Sequence, residues 1–291
     1  MDPHLLTTFV SVARHGSFSA AAAELGYTQS AVSQQIAALE ADLGLVLLSR
    51  RPVEPTPAGA PLLEHAGPLL LRLRAARADV LRAAAPPRHR LRLAATPLAV
   101  NPVLAARLAR ARAEQPRLEV SLRVGDHARL GAMLAEGEAD LGLADGIAAP
   151  SDPLRLPEAG PMTASGVAES ALVVALPAGH PLGGRASLRL ADLADARWLQ
   201  TPLCPLERLR DLVGDGFRAG LDYRGDDVHT VVNLVAAGHG LTLLPATSLP
   251  EPAGPVRGVA LAFPRLVHRV ELLHGALPPG PAADLARTLS G

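Results

Sequence analysis

The sequence contains no lysine, very few aromatic residues and a single cysteine. That cysteine, Cys204, leaves no partner for an internal disulfide and excludes a cysteine-rich metal cluster. Aromatic residues make up 2% of the 291 residues although 48% are hydrophobic, so Ala, Leu and Val must fill the core. This length is enough for two or three domains, each with a core of its own.

Long apolar runs and the common catalytic motifs are also absent. No stretch of about twenty uncharged apolar residues occurs, and Met1-Asp2-Pro3-His4 does not resemble the start of a signal peptide. We therefore expect a cytoplasmic protein with no membrane partner. The sequence has no phosphate-binding glycine loop and no Gly-x-Ser-x-Gly motif, and its ten histidines show no metal-ligand spacing. We expect no enzyme, no cofactor and no metal site.

Residues 16–43 have the pattern of two short helices joined by a tight turn. Ser17 is suited to cap the first helix, and Gly26 to end it in a left-handed conformation. Apolar residues at spacings of four and three predict the buried face of the second helix, formed by Val32, Ile36, Leu39 and Leu43. Its other face begins with short polar side chains, Gln29, Ser30, Ser33 and Gln34. Such groups can read base edges in the major groove, so the pattern predicts a helix-turn-helix.

The charge balance is unusual for a protein that binds DNA. The formal net charge is +0, and residues 1–60 hold fewer arginines than acidic residues. Affinity for DNA must then come from a small number of phosphate contacts, from helix N-termini, and from the DNA-binding domains of two chains acting together. Two extended pieces around Pro52 predict a β-wing, where Arg50 and Arg51 either contact phosphate or the minor groove, or lie in a solvated turn.

This region resembles the N-terminal module of LysR-type transcriptional regulators. The resemblance is carried by Ser17-Phe18, Ala21-Ala22, Leu25, Thr28-Gln29-Ser30-Ala31-Val32-Ser33, Ile36 and Leu39-Glu40. It spans essentially the whole chain, because residues 175–182 and 235–245 resemble two corners of that family's effector domain. The resemblance implies a winged helix-turn-helix at 1–60, a linker and dimerisation helix at 61–88, and an effector-binding domain at 89–291.

The linker region has a heptad pattern. Residues 58–84 predict one long helix, with a seam formed by Leu62, Ala66, Leu69, Leu73, Ala76 and Val80. Such a seam either pairs two chains or packs within its own chain. We expect Pro68 to kink the helix or to remove one hydrogen bond.

Strands and helices alternate from Leu91 onward, which predicts a parallel sheet with right-handed crossovers. The fold class is α/β, with an N-terminal winged helix-turn-helix, a long linker helix and a two-lobed effector-binding domain resembling type 2 periplasmic binding proteins. We expect one lobe at about 89–160 and 264–291, and the other at about 161–263. Strand 269–273 and a last helix near 282–289 return the chain to the first lobe.

Ligands of such domains bind between the lobes, at the carboxyl ends of the strands. The resemblance implies effector contacts at the turns that follow three strands, and the candidates are Thr96, Leu98, Asp126, Thr201 and Pro202. Thr96 could equally be a helix cap. Asp126 and Asp145 either select an amine or a cation or are ordinary caps, and Cys204 is either a redox sensor or an inert buried thiol.

We therefore predict a sequence-specific DNA-binding transcription regulator controlled by a small-molecule effector bound between two lobes. Its partners are double-stranded DNA, the effector and itself, since the family resemblance implies a dimer or a tetramer. The alternatives are a solute-binding protein or an enzyme built on the same two lobes, and a DNA-binding protein without an effector.

Overall fold

The computed structural model describes residues 1–83, 89–154, 156, 162–193, 195–214, 216–249 and 254–290. They form two compact units, Met1–Val80 and a larger one that begins at Leu81. Residues 84–88, which belong to the predicted linker, lie outside the described residues. No described helix is both long and apolar enough to cross a membrane.

The first unit contains three short helices and the beginning of a long one: α1 (Pro3–His15), α2 (Phe18–Leu25), α3 (Gln29–Leu43) and α4 (Gly59–Ala83). Ser17 caps α2, and Gly26 ends that helix with φ 70°, a left-handed conformation that glycine adopts without strain. Thr28 caps α3 in the same way. The structure confirms the predicted helix-turn-helix. The prediction succeeds because capping and turn signals are local in the sequence.

The core of this unit lies between α1, α2 and α3. Phe9, Val32, Ile36 and Leu39 are fully buried in it. The prediction that Leu43 is buried is wrong, since 39% of this residue is exposed. Leu43 is the last residue of α3, and the core instead takes up Leu47 and Leu48 from the segment that follows the turn.

The wing and α4 both differ from the predicted pattern. The wing contains one antiparallel bridge, between Leu48 and Pro55. Helix α4 continues through Pro68, but the heptad seam is not continuous. Leu62 and Ala66 pack against the core of the first unit. The later seam residues are exposed in the single chain, by 46% at Leu69, 52% at Leu73 and 70% at Val80.

The second unit is an α/β structure in which two sheet regions share one strand. The strands are β1 (Arg90–Ala95), β2 (Glu119–Val124), β3 (Leu141–Ala148), β4 (Thr163–Pro177), β5 (Ser187–Arg189), β6 (Arg197–Gln200), β7 (Arg218–Asp222), β8 (Thr242–Pro245), β9 (Val256–Phe263) and β10 (Val267–His274). The helices are α5 (Pro102–Glu114), α6 (His127–Ala135), α7 (Leu206–Val213), α8 (Val228–Ala236) and α9 (Pro281–Ser290).

Strand β4 divides this unit into two lobes. Its first part, Thr163–Ala171, pairs with β10, while Leu172–Pro177 pairs with β8 and β9. Lobe I is the sheet β2-β1-β3-β10 with the first part of β4 and α9 packed against it. The predicted parallel pairing of β1 with β2 and β3 is confirmed. Lobe II is formed by the rest of β4 with β5, β8, β9 and the parallel pair β6-β7.

Candidate DNA-binding and effector-binding sites

The N-terminal turns of α3 present the polar side chains that the sequence predicted for base reading. Gln29, Ser30 and Gln34 are exposed, and Ser33 is half-buried. Thr28 Oγ1 accepts a hydrogen bond from the Ala31 amide at 3.2 Å, which fixes the start of this helix. The first turns of a recognition helix are the part that enters the major groove.

The neighbouring glutamines of α3 have different surroundings. Thr8 Oγ1, on α1, donates a hydrogen bond of 2.6 Å to Oε1 of Gln35. Thr8 is almost fully buried, so this bond joins α1 to α3 inside the unit. Gln34 is exposed and remains available to a ligand.

Arg50 contacts other residues of the first unit, whereas an arginine in a solvated turn would make no such contacts. Its guanidinium lies 4.8 Å from the centre of the Phe18 ring, a cation–π geometry. Its Nη2 is also 3.7 Å from Oε2 of Glu40, yet 53% of the side chain is exposed. Glu40 Oε1 accepts a hydrogen bond of 2.9 Å from the Leu47 amide. Arg51 is exposed beside it.

Most acidic residues within residues 1–60 have intrachain partners. Four of its five acidic residues have such partners, namely Asp2, Glu24, Glu40 and Asp42. Hydrogen bonds from Ser11 and Arg14 lower the pKa of Glu24 to about 2. These contacts stabilise the fold of the unit and leave its net charge unchanged.

A cavity of about 250 Å³ lies between the two lobes of the second unit. On the lobe I side it is lined by His127, Asp145, Gly146, Ile147, Leu154 and Leu156, and on the lobe II side by Pro202, Leu203, Pro205 and Arg208. Asp145, Gly146 and Ile147 lie in the second half of β3, and the other lining residues come after the carboxyl ends of β2, β3 and β6, where ligands of open α/β sheets bind.

The polar groups of the cavity come from both lobes. Arg208 Nη2 donates a hydrogen bond of 3.4 Å to the carbonyl of Ile147 across the cavity. Asp145 Oδ2 lies 3.0 Å from Nε2 of His268, and both side chains are more than nine-tenths buried. His127 Nε2 donates to the Asp145 carbonyl at 2.7 Å. In the part of the chain that the structure describes, no group of His, Cys, Asp or Glu could hold a metal ion.

The two candidate threonines do not line this cavity. Thr96 is 2% exposed, and its Oγ1 accepts a hydrogen bond from the Asp145 amide at 2.8 Å and donates to the Leu143 carbonyl at 3.3 Å. Thr201 is fully buried, and its Oγ1 accepts from the Leu203 amide at 3.4 Å. Both hydroxyls therefore have structural partners, and that of Thr96 binds the backbone of β3 without capping the short helical turn Pro97–Ala99.

The other candidates have three different environments. Asp126 is exposed and caps α6 by accepting a hydrogen bond of 2.7 Å from the Arg129 amide. Leu98 is 5% exposed and packs against Val231 and Val235 in the core of lobe II. Pro202 does line the cavity.

Family models cover almost all of the chain. Residues 84–286 match the model described as LysR substrate binding domain, and residues 3–60 match the bacterial regulatory helix-turn-helix protein, lysR family. The chain belongs to the LysR family of transcriptional regulators. It therefore combines a DNA-binding helix-turn-helix with an effector-binding domain, as the sequence predicted.

Two curated relatives of this LysR-type regulator are similar over most of their length. A probable hydrogen peroxide-inducible genes activator of Mycobacterium avium is 37% identical, over 92% of this chain and 86% of that protein. The small neutral protease regulatory protein of Streptomyces coelicolor is 33% identical, over 87% of this chain and 76% of that protein.

Full-length LysR-type regulators of known structure share the fold. A cysteine mutant of Corynebacterium glutamicum OxyR has a TM-score of 0.55 and 26% identity, covering 99% of this chain and 89% of that one. CbnR complexed with its target DNA has a TM-score of 0.53 and 24% identity, covering 99% and 98%.

The single thiol of this LysR-type regulator is not in a reactive environment. Cys204 is fully buried, and desolvation raises its pKa to about 11. A thiol with so high a pKa is protonated at neutral pH, and the thiolate is the form that reacts with oxidants. These observations favour the inert alternative for Cys204.

The three polar side chains of the cavity were not among the sequence-predicted contacts: they belong to His127, Asp145 and Arg208. His127 follows the candidate Asp126, and Asp145 had been weighed as a group that selects an amine. Arg208 carried no signal in the sequence, because an arginine of an amphipathic helix normally faces water. Arg208 reaches the cavity because the fold places α7 beside β3.

Proposed function

We propose that this regulator reads its operator with Gln29, Ser30, Ser33 and Gln34. Arg50 and Arg51 hold the DNA backbone or enter the minor groove. The exposure of these side chains at the N-terminal turns of α3 and beside the wing supports this assignment. A protein that acts on the chromosome works in the cytoplasm, and we propose that it has no catalytic activity of its own.

We further propose that residues 1–60 bind DNA, that 61–88 join two chains, and that 89–291 bind the effector in the cavity between the lobes. The single observation that carries the effector site is the cavity itself. It lies at the carboxyl ends of β2, β3 and β6, with an arginine from one lobe facing a buried aspartate of the other. A ligand that binds both lobes favours their closed arrangement and so shifts the population of DNA-bound states.

The exposed apolar side chains of α4 support self-association. Leu69, Leu73 and Val80 recur at spacings of four and seven, and each is about half exposed or more. We propose that this stripe pairs with the same stripe of a second chain. The DNA-binding domains of two chains then bind one operator together. Their combined affinity offsets the small number of basic residues in each domain.

Some relatives are named for induction by hydrogen peroxide, but we do not infer the same inducer for this chain. The sequence has one cysteine, so it lacks the second thiol of an intrachain disulfide switch. That cysteine is buried with a raised pKa. We propose that a bound ligand, rather than oxidation of a thiol, controls this regulator.

The DNA-reading proposal is tested with alanine variants of adjacent residues. The operator is first selected from random duplexes by the wild-type chain. Ser33→Ala and Gln34→Ala should each weaken binding to it by about 1–3 kcal/mol and change binding to random DNA little. Fluorescence anisotropy measures both affinities at one salt concentration.

Gln35→Ala is the matched control, because Gln35 is bonded to Thr8 inside the unit. This variant should retain the ratio of operator to random affinity even if it is less stable. An equal loss on both DNAs for Ser33→Ala and Gln34→Ala would show that these residues do not read sequence.

A further inference from the structure

The interlobe cavity holds one positive and one negative side chain that are not paired with each other. Arg208 and Asp145 both line it, and their charged atoms are more than 4.0 Å apart. Among the described residues, no carboxylate lies within salt-bridge distance of Arg208, whose recorded hydrogen bond goes to the neutral carbonyl of Ile147. An arginine in this position has donors left for an anionic group.

Among the described residues, His268 is the one side-chain hydrogen-bond partner of Asp145. His268 Nε2 donates to Oδ2 of Asp145 at 3.0 Å, while Ser170 Oγ lies 3.4 Å from Nδ1 and can donate to it. Oδ1 of Asp145 has no hydrogen-bond partner among the described residues. Because Asp145 lines the cavity, the ammonium group of a ligand can reach this oxygen.

The remaining walls of the cavity are apolar and close together. They are formed by Ile147, Leu154, Leu156, Pro202, Leu203 and Pro205. A volume of about 250 Å³ is just below the usual range of ligand pockets, so the cavity takes a small molecule.

We propose that the effector is a small zwitterion, namely an aliphatic amino acid. Its carboxylate binds Arg208 of lobe II, its ammonium binds Oδ1 of Asp145 in lobe I, and its side chain lies on the apolar walls. Each charged group of the ligand then meets the opposite charge, and the ligand joins the two lobes. The inference rests on the proposed function, since it names the ligand class of that effector site.

The test uses the full chain and three probes of similar shape. They are L-leucine, 4-methylpentanoic acid, which lacks the amine, and 3-methylbutylamine, which lacks the carboxylate. Valine and isoleucine are included for fit. We expect at least one of the three amino acids to raise the melting temperature, because a ligand stabilises the state that it binds. In calorimetric titration, loss of either charged group should weaken binding at least about tenfold.

Variants assign the two charges. Arg208→Gln and Asp145→Asn should each weaken binding of the amino acid at least about tenfold. Asp145→Asn should also lose the requirement for the amine, so that it binds 4-methylpentanoic acid at least as tightly as leucine. This change of selectivity is a readout that simple destabilisation does not produce.

The controls have the same substitutions outside the cavity. Arg210, on the same helix, donates to the Phe217 carbonyl at 3.0 Å, and Asp284 pairs with Arg287 on α9. Arg210→Gln and Asp284→Asn should bind the amino acid like the wild type.

Three results would overturn the inference: no aliphatic amino acid binds at millimolar concentration, 4-methylpentanoic acid binds the wild type as tightly as leucine, or Arg208→Gln and Asp145→Asn both keep full affinity. The operator assay is independent of these results. A chain that reads its operator but gives one of them keeps the proposed function and loses only this ligand class.

Discussion

The hydroxyl of Thr96 joins the ends of two strands of lobe I. It is buried and makes hydrogen bonds of 2.8 and 3.3 Å to the backbone of β3. Thr96→Val would leave the buried amide of Asp145 without an acceptor, so the free energy of unfolding should fall by about 1–3 kcal/mol. Urea denaturation measures this change. Thr96→Ser keeps the hydroxyl and is the control, and equal stability of the valine variant and the wild type would refute the structural role.

The burial of Cys204 has a chemical consequence that can be measured. With a pKa of about 11 and no exposed surface, the thiol should not react with iodoacetamide at neutral pH in the folded chain. The same reagent should label it fully in urea. Exposure to hydrogen peroxide before unfolding should leave this labelling unchanged. Rapid labelling of the native protein, or loss of the thiol after peroxide, would contradict the inert assignment.

At the scale of elements, α1 and α2 are connected through Glu24. Its carboxylate accepts hydrogen bonds from Ser11 and Arg14, and these lower its pKa from an ordinary 4.5 to about 2. The carboxylate form therefore stabilises the folded state above about pH 4.5, and this contribution is lost as the pH falls toward 2.

Glu24→Gln should accordingly lower the melting temperature at neutral pH, and its difference from the wild type should shrink between pH 5 and pH 2. Scanning calorimetry across this range measures both curves. Glu54→Gln, an exposed carboxylate of the same unit, is the control and should show little difference at any pH. A difference for Glu24→Gln that persists at pH 2 would contradict the ionic origin.

The helices of the first unit followed from the sequence because their caps and spacing are local signals. The strands were predicted less completely. The apolar run Ser170–Leu176 predicts a strand, but β4 begins earlier, at Thr163. The residues before Ser170 are exposed or half-buried, so they show no clear alternation of apolar and polar side chains. Strand β9 was not predicted at all, although Val256–Phe263 pairs along β4. Such segments become strands through pairing with distant residues, which hydrophobic pattern does not report.

Of the five candidate effector residues, only Pro202 lines the cavity between the lobes. The strand-end rule selects the loops after β1, β2 and β6. It does not say which side chain of a loop faces the cavity. Thr96 and Thr201 turn their hydroxyls to backbone groups, whereas the candidate Pro202 lines the cavity, as does His127, the residue after the candidate Asp126.

At the scale of the whole molecule, α4 should control assembly. Leu73→Asp would place an unpaired charge in the proposed seam, so the dissociation constant of the dimer should rise at least about 100-fold. Sedimentation of the full chain measures it. Ala60 is exposed and lies nine residues before Leu69, on the opposite side of the helix.

Ala60→Asp therefore adds the same charge outside the stripe and should leave the dimer intact. A wild-type chain that is monomeric at micromolar concentration, or a Leu73→Asp chain that sediments like the wild type, would rule out this contact.

The position of β10 also sets the order in which the newly made chain can fold. β10 lies between β3 and β4 in lobe I, yet it is Val267–His274 and is made after both of them. Most strands of lobe II are made earlier and pair without it. During synthesis lobe II can therefore fold first. Strands β1, β2 and β3 become joined to β4 only after β10 has been made. A nascent chain stalled before residue 267 would expose the edge of β3, where chaperones or a second nascent chain could bind.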